Sequence, residues 1–348
     1  MKPRVCIIIL NWNGWEDTIE CLESLYRITY PNYDIIIVDN NSKDNSVEKI
    51  IEYADIAFET KTKSFKCNLS NVPIKVFEIN EYEAKKGIFD LPFYETYKSK
   101  QRMILIKNRH NYGYSGGNNG AIKFALSVLN PKYILILNND TVVDEKVLIE
   151  LVEVGESNKK AGIMGPTVYH YDYKRKKMIQ SAGVKIYWYT GKQKMIRSNE
   201  IDCGQYEETY EVDYVSGCAI FAKSELFQKI GYFDTSYFAY WEETEWCIRA
   251  SKAGYKVLCV PKAKIWHKGG SSSKKVSGLT QYYLTRNKFW FMRRHASGKQ
   301  YSLFLLYFFC YKFWYISGFY IIYLKDIKTY MAFLRGVKDG ITRQKSQG

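Results

Sequence analysis

Three apolar runs in this chain stop at the same kind of residue, and that repetition constrains the fold more than any other feature. "VCIIIL" (5–10) runs into Asn11 of "NWNG". "DIIIV" (34–38) runs into Asp39 of "DNNS", and "YILIL" (133–137) runs into Asn138, Asn139 and Asp140. Short runs rich in branched aliphatics read as strands buried on both faces of a parallel sheet. A further strand is expected at 103–108. Helical spacing fills the intervals, at 15–28 (Ile19, Leu22, Leu25, Tyr26), 45–54, 116–129 and 144–155. Alternating strands and helices predict βαβ units and an α/β fold around a mostly parallel sheet. One polar strand end is turn chemistry, since Asn and Asp favour turns. Three on one edge form the wall of a polar pocket, because open parallel sheets bind ligands beyond the carboxyl ends of their strands.

Residues 55–102 break the alternation. They are rich in Lys, Glu and Tyr, with a weak strand at 73–79, and read as an insertion forming a flap or small hairpin. After Gly162 the pattern is less regular. Residues 212–231 suggest strand, turn and short helix, 242–254 a helix closed by Gly254, and 255–261 a strand ended by Pro261. This divides the chain into an α/β part, 1–275, and a tail, 276–348.

The eight cysteines contain no C-x-x-C pair, which argues against a zinc ribbon or thioredoxin-type site. Several lie in apolar runs, as buried thiols of a reducing compartment do. The first apolar run is too short for a signal peptide core and is read as a strand, so a cytoplasmic location is expected. The net charge of +15 is uneven: from Val276 onward twelve Lys or Arg face two Asp. Such asymmetry points to an anionic partner surface, either lipid or nucleic acid.

Seven pieces in order carry a family resemblance: "VCIIILNWNG", "DIIIVDNNSKDNS", "NRHNYGYSGGNNGA", "YILILNNDTVV", "VDYVSGCAIFAKSELFQKIGYFD", "WEETEWCIRASKAGYKV" and "WHKGGSS". Together they span roughly residues 4–273. The chain resembles family 2 glycosyltransferases, the inverting group with the GT-A fold, and within it the rhamnosyltransferase-like branch. The resemblance implies transfer of a sugar from a nucleoside diphosphate donor, UDP- or dTDP-linked, to a hydroxyl group. A diphosphate leaving group calls for a divalent cation such as Mg2+ or Mn2+, or for basic groups. The attacking hydroxyl calls for a general base.

Carried onto this sequence, the resemblance places Asp140 at the metal motif, with Asn138 assisting through its amide oxygen. Only one of the three residues in "NND" is acidic, so the site is less metal-selective than one with two carboxylates. Asp39 falls where the family meets the nucleotide base, and Asn11 shapes the same pocket. Asn111, Gly113 and Asn118 match the glycine-rich segment, which lacks the G-x-G-x-x-G spacing of a dinucleotide loop. Glu243 takes the place of the general base, with Glu242 and Glu245 as rivals. Glu245 lies four residues before Arg249 and is also explained as a helix ion pair. His267 is expected to complete the metal shell or touch the diphosphate, with the Gly-Ser run after it. Asp234 is expected to fix a turn near the acceptor. Arg286 is expected to reach the diphosphate or to pack the tail against the catalytic part.

The run 301–325 is apolar on every helical face apart from Lys312. Its length suits a bilayer span, but a central Lys and six Tyr favour an in-plane helix or hairpin at the inner face of the cell membrane. The implied acceptor is a glycan or a polyprenyl- or other lipid-linked hydroxyl in surface polysaccharide synthesis. Two other functions compete. A sugar-nucleotide nucleotidyltransferase would carry a basic, glycine-rich loop after the first strand, and "NWNGWED" has no basic residue. A non-enzymatic binder would use the basic tail on nucleic acid, a partner the leading reading does not require.

Overall fold

A computed structural model describes residues 2–56, 73–172, 178–269 and 277–342. The Gly-Ser run after Gly269, and the part of the expected insertion at 57–72, lie outside the described residues. The first half contains β1 (Val5–Asn11), α1 (Trp15–Leu25), β2 (Tyr33–Asp39), α2 (Ser46–Ile56), β3 (Lys75–Asn80), α3 (Glu81–Lys86), α4 (Leu91–Glu95) and β4 (Arg102–Lys107). It continues with α5 (Gly113–Phe124), β5 (Tyr133–Asn138), β6 (Thr141–Val143), α6 (Val147–Ser157) and β7 (Ala161–His170). Next come β8 (Ile179–Ser181), β9 (Val184–Tyr187), β10 (Lys192–Met195), β11 (Tyr210–Glu211), β12 (Ala219–Lys223) and α7 (Ser224–Ile230). The chain then forms α8 (Glu242–Lys252), β13 (Lys256–His267), α9 (Ser277–His295), α10 (Gly298–Tyr307), α11 (Phe313–Gly318) and α12 (Ile327–Thr342).

The main sheet runs in the order β11-β13-β7-β12-β5-β1-β2-β4-β3, with β6 on β13 and β8 on β7. From β5 to β3 every pairing is parallel. The strands are continuously apolar because both faces are covered. Along β1, Val5, Ile7 and Ile9 pack with Leu22, Leu25 and Leu148 on one side. Cys6 and Ile8 pack with Ile122, Phe124 and Ala125 on the other. Cys6, Cys21, Cys218, Cys247 and Cys259 are buried and free of disulfides, as expected of thiols inside apolar runs.

Register sets the site. Asn11 sits opposite Asp39, and Leu10 sits opposite Asn138, so the three polar strand ends share one edge of the sheet.

Two sequence expectations change. The weak strand at 73–79 is β3, and it joins β4 in parallel at the sheet edge, which rules out a hairpin for these residues. The strand expected to stop at Pro261 instead continues to His267, with an irregularity between Val260 and Lys264. A bulge tolerates a residue without an N–H, so proline bends the strand without ending it.

The tail shares the main core. Phe289, Phe291, Met292, Phe304, Phe308 and Phe333 belong to the same apolar cluster as Trp241 and Trp246. Helix α12 packs closely on α9: a Cβ at Gly336 would lie 2.8 Å from the Tyr282 carbonyl oxygen, and one at Gly340 would lie 2.8 Å from Phe289 Cβ. Between these helices α10 and α11 run on as one helix through a π-helical turn at Phe308–Lys312. Among the described residues, Gly298–Tyr323 is long and apolar enough to cross a membrane, and only 11 % of its most apolar window is buried.

Candidate active site

Asp39 closes the turn after β2. Its Oδ1 accepts hydrogen bonds from Asn11 Nδ2 (2.9 Å) and Ser42 Oγ (2.5 Å), and its Oδ2 accepts one from the Ser42 amide (3.0 Å). Asn11 Oδ1 in turn accepts from Thr18 Oγ1 (2.9 Å). Asn139 donates to Thr18 Oγ1 and the Gly14 carbonyl, each at 3.1 Å. The ends of β1, β2 and β5 are thus tied into one polar network.

Asn40, which sequence reasoning passed over, organises the glycine-rich segment. Its Nδ2 donates to Asn111 Oδ1 (2.9 Å) and the Gly113 carbonyl (3.2 Å), and its Oδ1 accepts from the Tyr112 amide (3.2 Å). Asn111 Oδ1 also accepts from the Gly113 amide (2.8 Å). The signal was present, since Asn40 directly follows Asp39 in "VDNNS". Gly113 has φ +68°, and a Cβ there would lie 2.5 Å from the Phe238 carbonyl oxygen. That carbonyl accepts the Tyr114 amide (2.8 Å) at the start of α5. The region read as a flap supports this loop from below. Glu81 accepts from the Arg109 amide (3.0 Å) and Tyr112 hydroxyl (2.9 Å), and pairs with Lys85. Asn118 turns inward and donates to the Tyr114 carbonyl (2.9 Å), with its Oδ1 buried and unpartnered.

The continuation of β13 past Pro261 delivers His267. Antiparallel pairing sets His267 opposite Thr141, next to Asp140. Its Nε2 lies 3.3 Å from Asp140 Oδ1, and its Nδ1 lies 2.9 Å from Gln180 Oε1. A histidine nitrogen facing an amide oxygen carries the proton. Nε2 therefore meets the carboxylate either as an imidazolium N–H or as a lone pair sharing a cation with it. Burial opposes ionisation of Asp140, but the His267 hydrogen bond and charge outweigh it and hold the carboxyl below its ordinary range. Among the described residues no group of three His, Cys, Asp or Glu side chains is placed to hold a metal. The Asp140 carboxylate suits Mg2+ or Mn2+, which keep several waters and substrate phosphates in their shell beside one or two carboxylates, and His267 stands close enough to join it on such an ion. A histidine fixed through its second nitrogen is also the usual arrangement of a ligand.

Glu243 stands across the turn 216–218 from this pair. The Cys218 carbonyl accepts the Asn138 amide (2.9 Å), and Gly217 packs so that a Cβ would lie 3.4 Å from Glu243 Cγ. Burial raises the Glu243 carboxyl above its ordinary range, against hydrogen bonds from the start of α8. Its neighbour Glu242 is raised further, by burial and by the charge of Glu243, and its Oε2 is buried without a partner. Glu245 is different. It is fully buried, receives Arg249 Nε at 2.8 Å and lies 3.2 Å from His295 Nε2, which identifies it as a structural ion pair.

Before α8 the backbone takes positive φ at Phe238, Tyr240 and Trp241 (62°, 68° and 76°). Such conformations cost energy in non-glycine residues and cluster at functional sites. Asn287 Nδ2 holds the strained loop through the carbonyls of Tyr237, Ala239 and Tyr240 (3.0, 2.9 and 2.7 Å). Arg286 donates to the carbonyls of Ser236 (2.8 Å) and Tyr237 (3.1 Å) and lies 4.1 Å over the Trp290 ring. These bonds and the Trp290 contact join the tail to the loop before α8, which fits the packing role expected of Arg286. Asp234 caps the turn through the Ser236 amide (2.9 Å) and pairs with Arg294 (2.6 Å).

A mostly parallel sheet of this order, with its polar strand ends on one edge, has the layout expected of the GT-A fold. Comparison with known proteins agrees. The sequence model for glycosyl transferase family 2 matches residues 6–69, and that for glycosyltransferase like family 2 matches residues 91–283. The chain belongs to glycosyltransferase family 2. It is 27 % identical over 184 residues to the low-salt glycan biosynthesis hexosyltransferase Agl10 of Haloferax volcanii, covering 51 % of this chain and 56 % of that protein. It is 25 % identical over 239 residues to the dTDP-rhamnosyl transferase RfbF of Shigella flexneri, covering 65 % and 77 %. Among solved structures, S. aureus TarS 1-349 in complex with UDP-GlcNAc superposes with a TM-score of 0.56 at 12 % identity, covering 97 % of this chain and 80 % of that one. The mannosyltransferase of Pyrobaculum calidifontis in complex with GDP-Man and Mn2+ gives 0.53 at 12 % identity, covering 97 % and 74 %. These structural likenesses establish the fold.

Proposed function

We propose that this chain is an inverting, metal-dependent glycosyltransferase. In this reading it moves a sugar from a UDP- or dTDP-linked donor to a hydroxyl of a glycan or lipid-linked acceptor, in surface glycan synthesis at the inner face of the membrane. The observation that carries the reading is the Asp140–His267 pair standing across the 216–218 turn from Glu243, at the polar ends of a parallel sheet. Asp140 and His267 would hold Mg2+ or Mn2+, which would neutralise charge on the departing diphosphate. Asn11 and Asp39 form the base-facing end of the cleft, and the Asn40–Asn111 bonds hold the glycine loop open to the nucleotide. Glu243 accepts the proton of the acceptor hydroxyl as its oxygen attacks the anomeric carbon and the bond to the diphosphate breaks. A carboxyl raised by burial is a stronger base than one in water, which suits that task. The name of one relative, a dTDP-rhamnosyl transferase, supports a nucleotide-sugar donor, and that of the other, a hexosyltransferase, supports transfer of a hexose.

Membrane attachment is part of the proposal. The helix from Gly298 buries Phe304 and Phe308 in the core and exposes Leu306, Trp314, Tyr315 and Ile322. A helix anchored to protein along one side and apolar on the other suits lying on a bilayer rather than crossing it. Lys299 lies in its first turn and Lys325 and Lys328 lie just beyond its end, as needed for anionic head groups. The test is release of nucleoside diphosphate from UDP- and dTDP-hexoses in the presence of membranes, with NMR of the product's anomeric proton. The reading expects Mn2+-stimulated release and an inverted linkage. A retained linkage, or no release from any donor, contradicts it.

A further inference from the structure

A cleft of about 950 Å³ opens at the edge of the sheet opposite the candidate active site. Its walls bring together Arg4, just before β1, Asn32, just before β2, Arg102, the first residue of β4, and the turn Lys98–Gln101. Asn11 and Asp39 end the same strands at the other edge, roughly 20 Å away at about 3.3 Å per residue. Arg4 and Arg102 converge on one carboxylate. Arg4 Nε lies 2.6 Å from Asp34 Oδ2, and Arg102 Nη2 lies 2.8 Å from Asp34 Oδ1. Arg4 Nη1 also meets Glu95 Oε1 at 2.8 Å. Arg102 Nη1 donates to the carbonyls of Tyr94 (3.2 Å) and Tyr97 (3.1 Å), and the Gln101 amide donates to the Lys98 carbonyl (2.8 Å). These bonds fix the turn that carries Lys98 and Lys100 to the two arginines. Arg4 Nη2 and Arg102 Nε are buried without a partner, so the protein's own groups do not exhaust the donors here. Lys98 and Lys100 are exposed and have no carboxylate partner among the described residues. Four cations thus face two carboxylates, Asp34 and Glu95, an excess of two positive charges.

We propose that this cleft is a second ligand site and binds a soluble sugar phosphate. The inference does not depend on the proposed reaction. A phosphate monoester carries about −1.5 to −2 charges at pH 7, which matches the excess on the cleft. Its oxygens accept charge-assisted hydrogen bonds from ammonium and guanidinium groups. The rest of the lining suits the sugar. Asn32, Ser99 and Gln101 offer amide and hydroxyl groups for sugar hydroxyls, and Tyr53 and Tyr97 offer aromatic surface for its C–H groups. The volume falls within the roughly 300–1,000 Å³ of small-molecule sites. No residue of the apolar helix Gly298–Tyr323 lines the cleft, which favours a soluble ester over a lipid-borne phosphate.

Free phosphate shares this chemistry, so the test separates the ester from the ion. Glucose 1-phosphate, glucose and inorganic phosphate are titrated calorimetrically, in EDTA, into wild type, Asp140→Ala and the double variant Lys98→Gln/Lys100→Gln. Both lysines are exposed, and an unchanged melting temperature checks that the double variant is folded. The proposal expects glucose 1-phosphate to bind wild type and Asp140→Ala alike, and more tightly than either glucose or inorganic phosphate. In the double lysine variant its dissociation constant should rise about tenfold. No binding of glucose 1-phosphate to wild type overturns the proposal, as does an unchanged dissociation constant in the double variant. Inorganic phosphate bound as tightly as the ester would mean an adventitious ion only. Loss of binding in Asp140→Ala would move the ligand to the candidate active site and overturn a second site.

Discussion

His267 Nε2 lies 3.3 Å from Asp140 Oδ1, although Asp140 sits in the turn between β5 and β6 and His267 ends β13, which reaches it past an irregularity at Pro261. If β13 stopped at Pro261, the pairing of His267 with Thr141 would be lost and Asp140 would stand alone at its strand end. The candidate metal pair is therefore a product of sheet register, and Glu243, the proposed base, is placed by the start of α8 against Gly217.

Glu243→Gln keeps the shape of the side chain and removes its basicity. Turnover should fall by about 10²–10⁴, with UDP affinity nearly unchanged. Because burial raises the Glu243 carboxyl, its basic form fills only above the ordinary carboxylate range. In wild type the rate should therefore climb as pH rises through that raised value, and the variant should lack this limb. Turnover equal to wild type would remove Glu243 as the base.

Glu242 gives a stability prediction of definite sign. Its folded-state pKa is raised well above 4.5 by burial and by Glu243. The folded chain therefore holds a proton that the unfolded chain releases, and wild-type stability declines as pH rises from about 4.5 toward the raised value. Glu242→Gln should be more stable than wild type near neutral pH by roughly 1–3 kcal/mol. The gain should vanish below the unfolded value, as denaturant melts at several pH values would show.

Asn287→Ala removes three hydrogen bonds from the strained loop before α8. A loss of roughly 2–3 kcal/mol in stability is expected, together with reduced turnover and unaltered UDP affinity. Activity retained at wild-type level in the destabilised protein would mean that the loop does not shape the acceptor side.

Deleting the tail is a poor test of membrane binding, because Phe304, Phe308 and Phe333 belong to the core. Trp314→Glu with Ile322→Glu leaves that core intact, since these side chains are 66 % and 75 % exposed. The double variant should lose flotation with anionic vesicles while keeping UDP affinity. Undiminished flotation would contradict in-plane binding through this face.

The polar strand ends were legible in the sequence because a buried parallel strand and its terminal residue are contiguous in the chain. Asn11, Asp39 and Asp140 could be placed on one edge before any register was known. The route to His267 was not legible, since the local rule stops a strand at Pro261 and only pairing with β7 and β6 carries it on. Nor were the positive φ values at Phe238, Tyr240 and Trp241, where no glycine marks the strain. Arg286 was visible as a candidate, but its partners, like those of Asn287, are backbone carbonyls, which side-chain chemistry does not announce. The apolar run 301–325 showed no face because it is apolar all round. Contact with Phe289 and Phe333 decides which side turns inward.

The most direct test of the account is calorimetric titration of UDP and dTDP into wild type and Asp140→Ala, with Mn2+ and with EDTA. The account predicts binding that needs the cation and is lost in Asp140→Ala. Equal binding in EDTA and in the variant, or no binding of either nucleotide, would contradict a site in which Asp140 ends its strand to hold a cation against a diphosphate.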